Sequence, residues 1–222
     1  MVATLDGAIA LGGRAGQISG PADRALFLVL RSLADLVLVG AGTARAEKYG
    51  PVKLGEDLQQ MRVERGQSPL PRLAVVTHRV DLDFESRLFV GSSQRPIVIA
   101  PGGADPVALA EARLVADVLT TGAETLDLPT ALAALGDQGI GHILCEGGPT
   151  LNESLVAASL VDEFCLTLSP KLAPGAGEGL VRGWLGNHAA APIAQPVTRL
   201  MGLGLVHVLE EDGFLFLRLR TS

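Results

Sequence analysis

Basic patches, aromatics, metal-ligand spacing and membrane-length apolar runs are all scarce or missing in this sequence of 222 residues. With 18 Lys and Arg against 24 Asp and Glu, a net charge of −6, one Trp and one Tyr, it lacks the basic face with stacking aromatics that nucleic acid requires. No uncharged apolar run approaches the ~18 residues of a membrane span, which excludes a spanning helix. Met1 leads straight into Val-Ala-Thr-Leu-Asp-Gly, without a basic n-region or an apolar signal core, so the expectation is a cytoplasmic protein. The two cysteines, Cys145 and Cys165, lie inside apolar strand patterns and read as buried reduced thiols, not a disulfide framework. His78, His142, His188 and His207 are scattered, and no H-x-x-x-H or C-x-x-C spacing offers a metal site.

What is abundant is apolar residue, 48% against 19% charged, enough for a sizeable core. Apolar runs at 35–40, 72–77, 95–100, 114–119, 142–146 and 163–170 read as strands with both faces covered. Helical patterns lie between them. Residues 21–34 carry Pro in the first turn and apolar side chains at 26, 27, 30 and 33. Weaker helices fit 104–112 and 129–137, and a stronger one starts after Gly148. Near the end, two strand-like runs meet at Asp212-Gly213, a hairpin signal. The polar stretch 52–71 reads as a surface excursion or short solvated helix, and 173–196 as a loop spanning the last crossover. The expected fold is α/β: a mixed, mostly parallel central sheet flanked by helices, with an antiparallel C-terminal hairpin, in one domain over 1–222.

Two glycine turns compete as ligand cradles. In VLVGAGTARAEKYGP, Gly40-x-Gly42-x-x-Arg45 follows a strand like the start of a dinucleotide fingerprint. The third small residue is an arginine, however, and Tyr49-Gly50-Pro51 stops the helix far short of a ~30-residue unit with its later acid. The N–H groups near Gly42 and Thr43 still suit a phosphate or polar ligand, and a merely tight strand-to-helix connection is the other reading. In HILCEGGPTLNESL, Glu146 ends a strand, Gly147-Gly148 turn the chain, Pro149 fits a first helical turn, and Thr150, Asn152 and Ser154 add side-chain donors. A helix-packing turn with a solvated glutamate is the alternative. Asp6 reads as a turn former. Arg31, on an apolar helix, needs an anion, either a carboxylate or a ligand phosphate.

Taken in order, TLDGAIA, ISGPADR, LRSLADLVLVGAGTARAE, YGP, ILCEGGPTL and LVDEFCLTLSP resemble the reductase domain of the riboflavin-biosynthesis deaminase-reductase family, most closely its stand-alone pyrimidine-reductase-like members of actinobacterial type. The resemblance covers nearly the whole chain. It implies a dihydrofolate-reductase-like fold, a homodimer, and NADPH-dependent reduction of 5-amino-6-(5-phosphoribosylamino)uracil or its diaminopyrimidinone relative to the ribitylamino product. It also implies cofactor contacts at Val2, Gln17, Thr43, Thr77, Gly147, Gly148, Pro149, Thr150, Leu151, Asn152 and Ser154. Arg31, Glu47, Lys53 and Glu146 fall on the substrate side, with Glu146 and Glu47 as the catalytic candidates.

That chemistry suits the residues. Hydride transfer depends on holding the nicotinamide against C1′ of the opened sugar, and a carboxylate stabilises the cationic iminium or holds sugar hydroxyls. Two departures fall on the substrate side. Glu47 stands where the family commonly has aspartate, and the basic residue of its Leu-Thr-Val-Arg stretch is replaced by no arginine, only Lys53 nearby. Reduction of dihydrofolate or another pterin is therefore the rival activity. From a different class, a protein that binds NADP without turnover is the third reading.

Overall fold

The computed structural model describes residues 1–12, 14–173 and 201–222. Most of the loop expected at 173–196 lies outside them. The chain divides into two units, Phe27–Ala158 and Met1–Leu26 with Ser159–Ser222.

The first of these holds a five-stranded parallel sheet. Its strands are β2 (Leu36–Gly40), β3 (Arg72–Val76), β4 (Ile97–Ala100), β5 (Asp117–Thr120) and β6 (Ile143–Cys145), in the order β5-β4-β3-β2-β6. Leu36, Val37, Leu38, Val39, Val75, Val98 and Ile99 are buried, because helices cover both faces and strands so placed must be apolar throughout. The helices are α2 (Ala41–Ala46), α3 (Glu56–Glu64), α4 (Pro106–Val115), α5 (Leu128–Asp137) and α6 (Pro149–Ala157). Asp105 caps α4 by accepting from the Val107 amide, and Asp127 caps α5 from Thr130, each followed by proline at the start of the helix. The strand expected at 114–119 starts only at Asp117, since Ala116 still donates to the Ala112 carbonyl and prolongs α4.

The strand order reverses at β2. Strands β2 to β5 are laid down in succession to one side, whereas β6 joins on the other side of β2, with Leu36, Val37 and Leu38 opposite Ile143, Leu144 and Cys145. The carboxyl ends of β2 and β6 are therefore neighbours at the reversal, the place where open parallel sheets bind ligands.

The second unit is a mixed sheet of β1 (Val2–Thr4), β7 (Glu163–Ser169), β8 (Leu203–Glu211) and β9 (Phe214–Thr221), ordered β1-β7-β9-β8. β1 runs parallel to β7, and the other pairs are antiparallel. Asp212 and Gly213, with φ of 53° and 77°, make the tight turn between β8 and β9 that the sequence signals. Phe214, Phe216 and Ala22 are buried together against Leu26. The parallel character and the antiparallel C-terminal hairpin match the sequence expectation, with the strands shared between two sheets. The helix α1 (Pro21–Leu33) contains the boundary between the units, and its final turn belongs to the parallel-sheet unit.

Candidate active site

The two glycine turns that compete in the sequence are one corner in the structure. Because β6 lies beside β2, the Gly40 amide donates to the Gly147 carbonyl at 2.7 Å, and the Glu146 amide to the Leu38 carbonyl at 2.9 Å. Gly147 has φ of 89°, the left-handed region where a side chain is strained, and its peptide bond to Gly148 is cis. Thr43, in α2 just beyond β2, reaches across the corner: a Cβ on Gly148 would lie 2.3 Å from its Oγ1. The next strand end carries Thr77, buried, whose hydroxyl accepts from the Val80 amide at 3.1 Å. Thr43, Thr77 and the Gly-Gly corner thus line the carboxyl ends of three adjacent strands.

Gly148 is the N-cap residue of α6, and no side chain caps that terminus. Leu151 and Leu155 are buried and pin the helix to the sheet. A helix N-terminus of this kind, following a glycine and without a side-chain cap, is a type of place that receives phosphates. Asn152 donates its backbone amide to the Gly148 carbonyl at 2.9 Å, and its Oδ1 accepts from Cys145 Sγ at 3.5 Å. Burial pushes the Cys145 thiol up to about 11, so it stays a protonated donor. The Ser154 hydroxyl turns back to the Thr150 carbonyl at 2.9 Å.

Below this corner lies a buried ionic cluster. Arg31 grips Glu146 in a bidentate pair, Nε to Oε1 at 2.6 Å and Nη2 to Oε2 at 2.7 Å. Tyr49 donates its hydroxyl to the same Oε2 at 2.7 Å. The Glu146 side chain is 2% exposed and that of Arg31 18%. The guanidinium lies 4.3 Å from the centre of the Phe27 ring, within cation–π range. Burial on its own would pull the Arg31 guanidinium down, but its bonds to Glu146 and the carboxylate charge outweigh this and raise it. Burial first, and then the Glu146 charge, push the Tyr49 phenol far above its usual range, so it is a fixed donor. Arg31 has found a carboxylate partner within the protein, one of the two anions its sequence context demands.

Arg62, which the sequence does not single out, is fully buried. It reaches from α3, inside the polar excursion at 52–71. Its Nη1 donates to the Ser32 carbonyl at 3.0 Å and the Ala34 carbonyl at 2.5 Å, and its Nε to the Ser68 carbonyl at 2.8 Å. A cation thereby closes the carboxyl end of α1, one turn from Arg31. Tyr49 likewise escapes sequence reasoning as a site residue, since it stands there only as part of a helix stop and of the YGP motif, with no role assigned to it.

The unit Phe27–Ala158 contains Arg31, Thr43, Glu47, Lys53, Thr77 and the run from Glu146 to Ser154, of which Thr43 and Gly148 meet at the corner and Arg31 and Glu146 in the ion pair. Glu47 is exposed at the C-cap of α2, donating its amide to the Thr43 carbonyl at 2.9 Å, and Lys53 is exposed as well. Val2, in β1, and Gln17, whose carbonyl accepts from Lys171 Nζ at 2.8 Å, belong to the other unit. Asp6 accepts from the Thr4 hydroxyl and from the Ala173 amide at 3.0 Å, the turn-forming role its sequence suggests. Among the described residues, no group of three or more His, Cys, Asp and Glu is placed to hold a metal, and no helix is long and apolar enough to cross a membrane.

A parallel sheet with glycine corners at a reversal of strand order is an α/β architecture with a candidate ligand site at that reversal, and comparison with known proteins gives the class. The model of the RibD C-terminal domain matches residues 1–188, so the chain belongs to that family. A protein of Archaeoglobus fulgidus named 2,5-diamino-6-ribosylamino-4(3H)-pyrimidinone 5′-phosphate reductase is 30% identical over 171 residues, covering 77% of this chain and 78% of its own. A protein of the same name from Methanothermobacter thermautotrophicus is 31% identical over 173 residues, 78% of this chain and 76% of its own. Among solved structures, a pyrimidine reductase-like protein of Corynebacterium diphtheriae superposes with a TM-score of 0.84 at 27% identity, covering 100% of this chain and 89% of that one. The fold is the dihydrofolate-reductase-like α/β fold of these reductase domains.

Proposed function

We propose that this chain is an NADPH-dependent reductase that converts the ribosylamino group of the riboflavin-pathway pyrimidine 5′-phosphate, the uracil or its diaminopyrimidinone relative, to ribitylamino. The observation that carries the reading is the joined corner of Gly40, Thr43 and Gly147-Gly148, in a chain whose relatives are named pyrimidinone phosphate reductases. One reductase domain over residues 1–222 is part of the same proposal.

The residues fit the cofactor. Gly147 and Gly148 carry no side chain where backbone must approach a ligand, Thr43 adds a hydroxyl, and the uncapped start of α6 over Pro149, Thr150, Leu151 and Asn152 accommodates a phosphate. Thr77 and Ser154 complete the proposed cofactor contacts within this unit. Bound NADPH supplies the hydride; the protein supplies orientation and charge. On the substrate side are Arg31, Glu47, Lys53 and Glu146. Lys53 is an exposed cation for a phosphate, and Glu47 an exposed carboxylate that favours positive charge developing at the opened sugar nitrogen.

A homodimer belongs to this reading. It is supported by β8, an outer strand with Leu203, Leu205, Val206, Val208 and Leu209 all exposed, since edge strands left apolar invite pairing. So does a cytoplasmic location, because a phosphorylated substrate and an anionic cofactor cross membranes poorly.

The test pairs two substrates. Purified protein with NADPH is given the aminopyrimidine ribosyl phosphate and, separately, dihydrofolate, and nicotinamide absorbance is followed. Consumption with the pyrimidine supports the proposal. Consumption only with dihydrofolate makes the protein a pterin reductase instead, and tight NADPH binding with neither substrate reduced makes it a binding protein without turnover.

A further inference from the structure

We infer that Cys145 is a positioning residue for the cofactor: its thiol donates to Asn152 Oδ1 and so turns the side-chain amide to present Nδ2, over Gly147, to an oxygen of the bound nucleotide. This inference rests on the reductase reading.

Asn152 stands one turn inside α6, and side chains on a helix lean toward its N-terminus, which brings this amide back over the glycine corner. Its backbone is fixed there, since its N–H donates to the Gly148 carbonyl at 2.9 Å. The side chain has a definite orientation. Oδ1 accepts from Cys145 Sγ at 3.5 Å, and Nδ2 is the atom nearest to where a Cβ on Gly147 would lie, at 3.4 Å against 3.8 Å for Oδ1. Among the described residues Nδ2 has no acceptor. Gly147 is held as well, its carbonyl accepting from the Gly40 amide at 2.7 Å.

A carboxamide can be turned over with little change of shape, so a neighbour must choose between its two ends. The thiol makes that choice. Burial pushes it up to about 11, and a hydrogen bond from the Gly147 amide draws it only part of the way back, so the sulfur keeps its proton. A protonated thiol that already takes the Gly147 N–H has one hydrogen to give. Turning Asn152 over would set its NH2 group against that hydrogen and leave an acceptor, Oδ1, on the side of an anionic cofactor. The end of β6 thus supplies the thiol, the first turn of α6 the amide, and the glycines the space for a ligand to approach. An apolar residue at 145 would suit a buried strand equally well but would make no such choice.

The experiment compares wild-type protein with Cys145→Ala, Cys145→Ser, Asn152→Ala, Asn152→Asp and the double variant Cys145→Ala with Asn152→Ala. Fluorescence titration gives the NADPH Kd and the urea midpoint reports folding. Infrared absorption of the S–H stretch reads the thiol directly, with Cys145→Ser supplying the background from Cys165, the other free cysteine. Asn152→Ala should raise the NADPH Kd on the order of tenfold, the worth of one hydrogen bond, and move the S–H band toward that of a free thiol. Cys145→Ala should raise the Kd by a smaller factor. The double variant should lose no more than Asn152→Ala alone, because Cys145 acts only through Asn152. Cys145→Ser keeps a donor and should bind NADPH close to wild type whatever its urea midpoint. Asn152→Asp still accepts from the thiol but offers the cofactor no donor, and should bind more weakly than Asn152→Ala. Losses that multiply in the double variant, an unchanged Kd or an unmoved S–H band in Asn152→Ala, or Cys145→Ser as impaired as Cys145→Ala each overturn the inference and leave the reductase reading intact. If Cys145→Ala fails to fold, the two Asn152 variants and the infrared band carry the comparison. Wild-type protein that does not bind NADPH would sink the reductase reading and this inference with it.

Discussion

Gly148 and the Thr43 hydroxyl are packed so closely that a Cβ on residue 148 would stand 2.3 Å from Oγ1, although the two residues are more than a hundred positions apart in sequence. Thr43 Cβ would be 3.7 Å away, an ordinary contact, so the conflict is with the hydroxyl alone. Gly148→Ala should cost about 1–3 kcal/mol as an overpacked corner and weaken NADPH binding. Adding Thr43→Ala should return most of the stability, because the clashing oxygen is gone, without returning cofactor affinity. Urea denaturation and NADPH fluorescence titration read the two quantities separately. A Gly148→Ala protein as stable as wild type would show that the corner yields, and the close packing would lose its role.

Arg62 yields a second prediction, one of stability. Its guanidinium satisfies the Ser32, Ala34 and Ser68 carbonyls, and burial lowers it from its usual range while Asp35 pulls the other way. Arg62→Met keeps the apolar stem but strands these acceptors, so a loss of about 3 kcal/mol is expected. Arg62→Lys should recover only part, since a single ammonium cannot span the positions of both Nε and Nη1. The urea midpoint should fall with an unchanged denaturant slope. A midpoint unaltered in Arg62→Met would mean that water replaces the guanidinium and that α1 needs no such clamp.

The sequence makes some of this architecture readable and hides the rest for definite reasons. β2, β3 and β4 are visible because strands covered on both faces are apolar at every position, as in Leu36–Val39. Asp212-Gly213 is visible because few dipeptides accept two positive φ values. The meeting of the two glycine turns is not, since it depends on β6 pairing with β2, a choice that no local pattern encodes; taken one at a time, the turns look like rivals. Arg62 escapes for a related reason. α3 is polar, Arg62 is its only buried residue, and the carbonyls of α1 that it satisfies are about thirty positions upstream. Glu146 stands out in the sequence as a carboxylate at a strand end, but that position suggests a solvent lip. Only the fold shows Arg31 and Tyr49 closing over it.

The mixed sheet supplies a pH prediction. Glu163 on β7 faces Arg220 directly across the strand pair and takes Arg218 as well, with contacts of 2.7 Å to each. The hydrogen bonds from Arg218 and then Arg220 hold its carboxyl down at about 2, against an ordinary value of 4.5. A carboxylate depressed on folding adds stability above its unfolded value and loses it as pH falls through the folded one. The contribution of Glu163 should therefore be complete above about pH 5 and vanish toward pH 2. Other carboxylates, among them Asp35 and Asp117, are also lowered, so the acid unfolding of the wild type alone cannot isolate it. The informative quantity is the difference in urea stability between wild type and Glu163→Gln. It should be modest, because all three side chains are partly exposed, and smaller in high salt. As pH drops from about 5 to about 2 it should shrink to nothing; a difference constant across that window would mean that Glu163 acts by packing and not by charge.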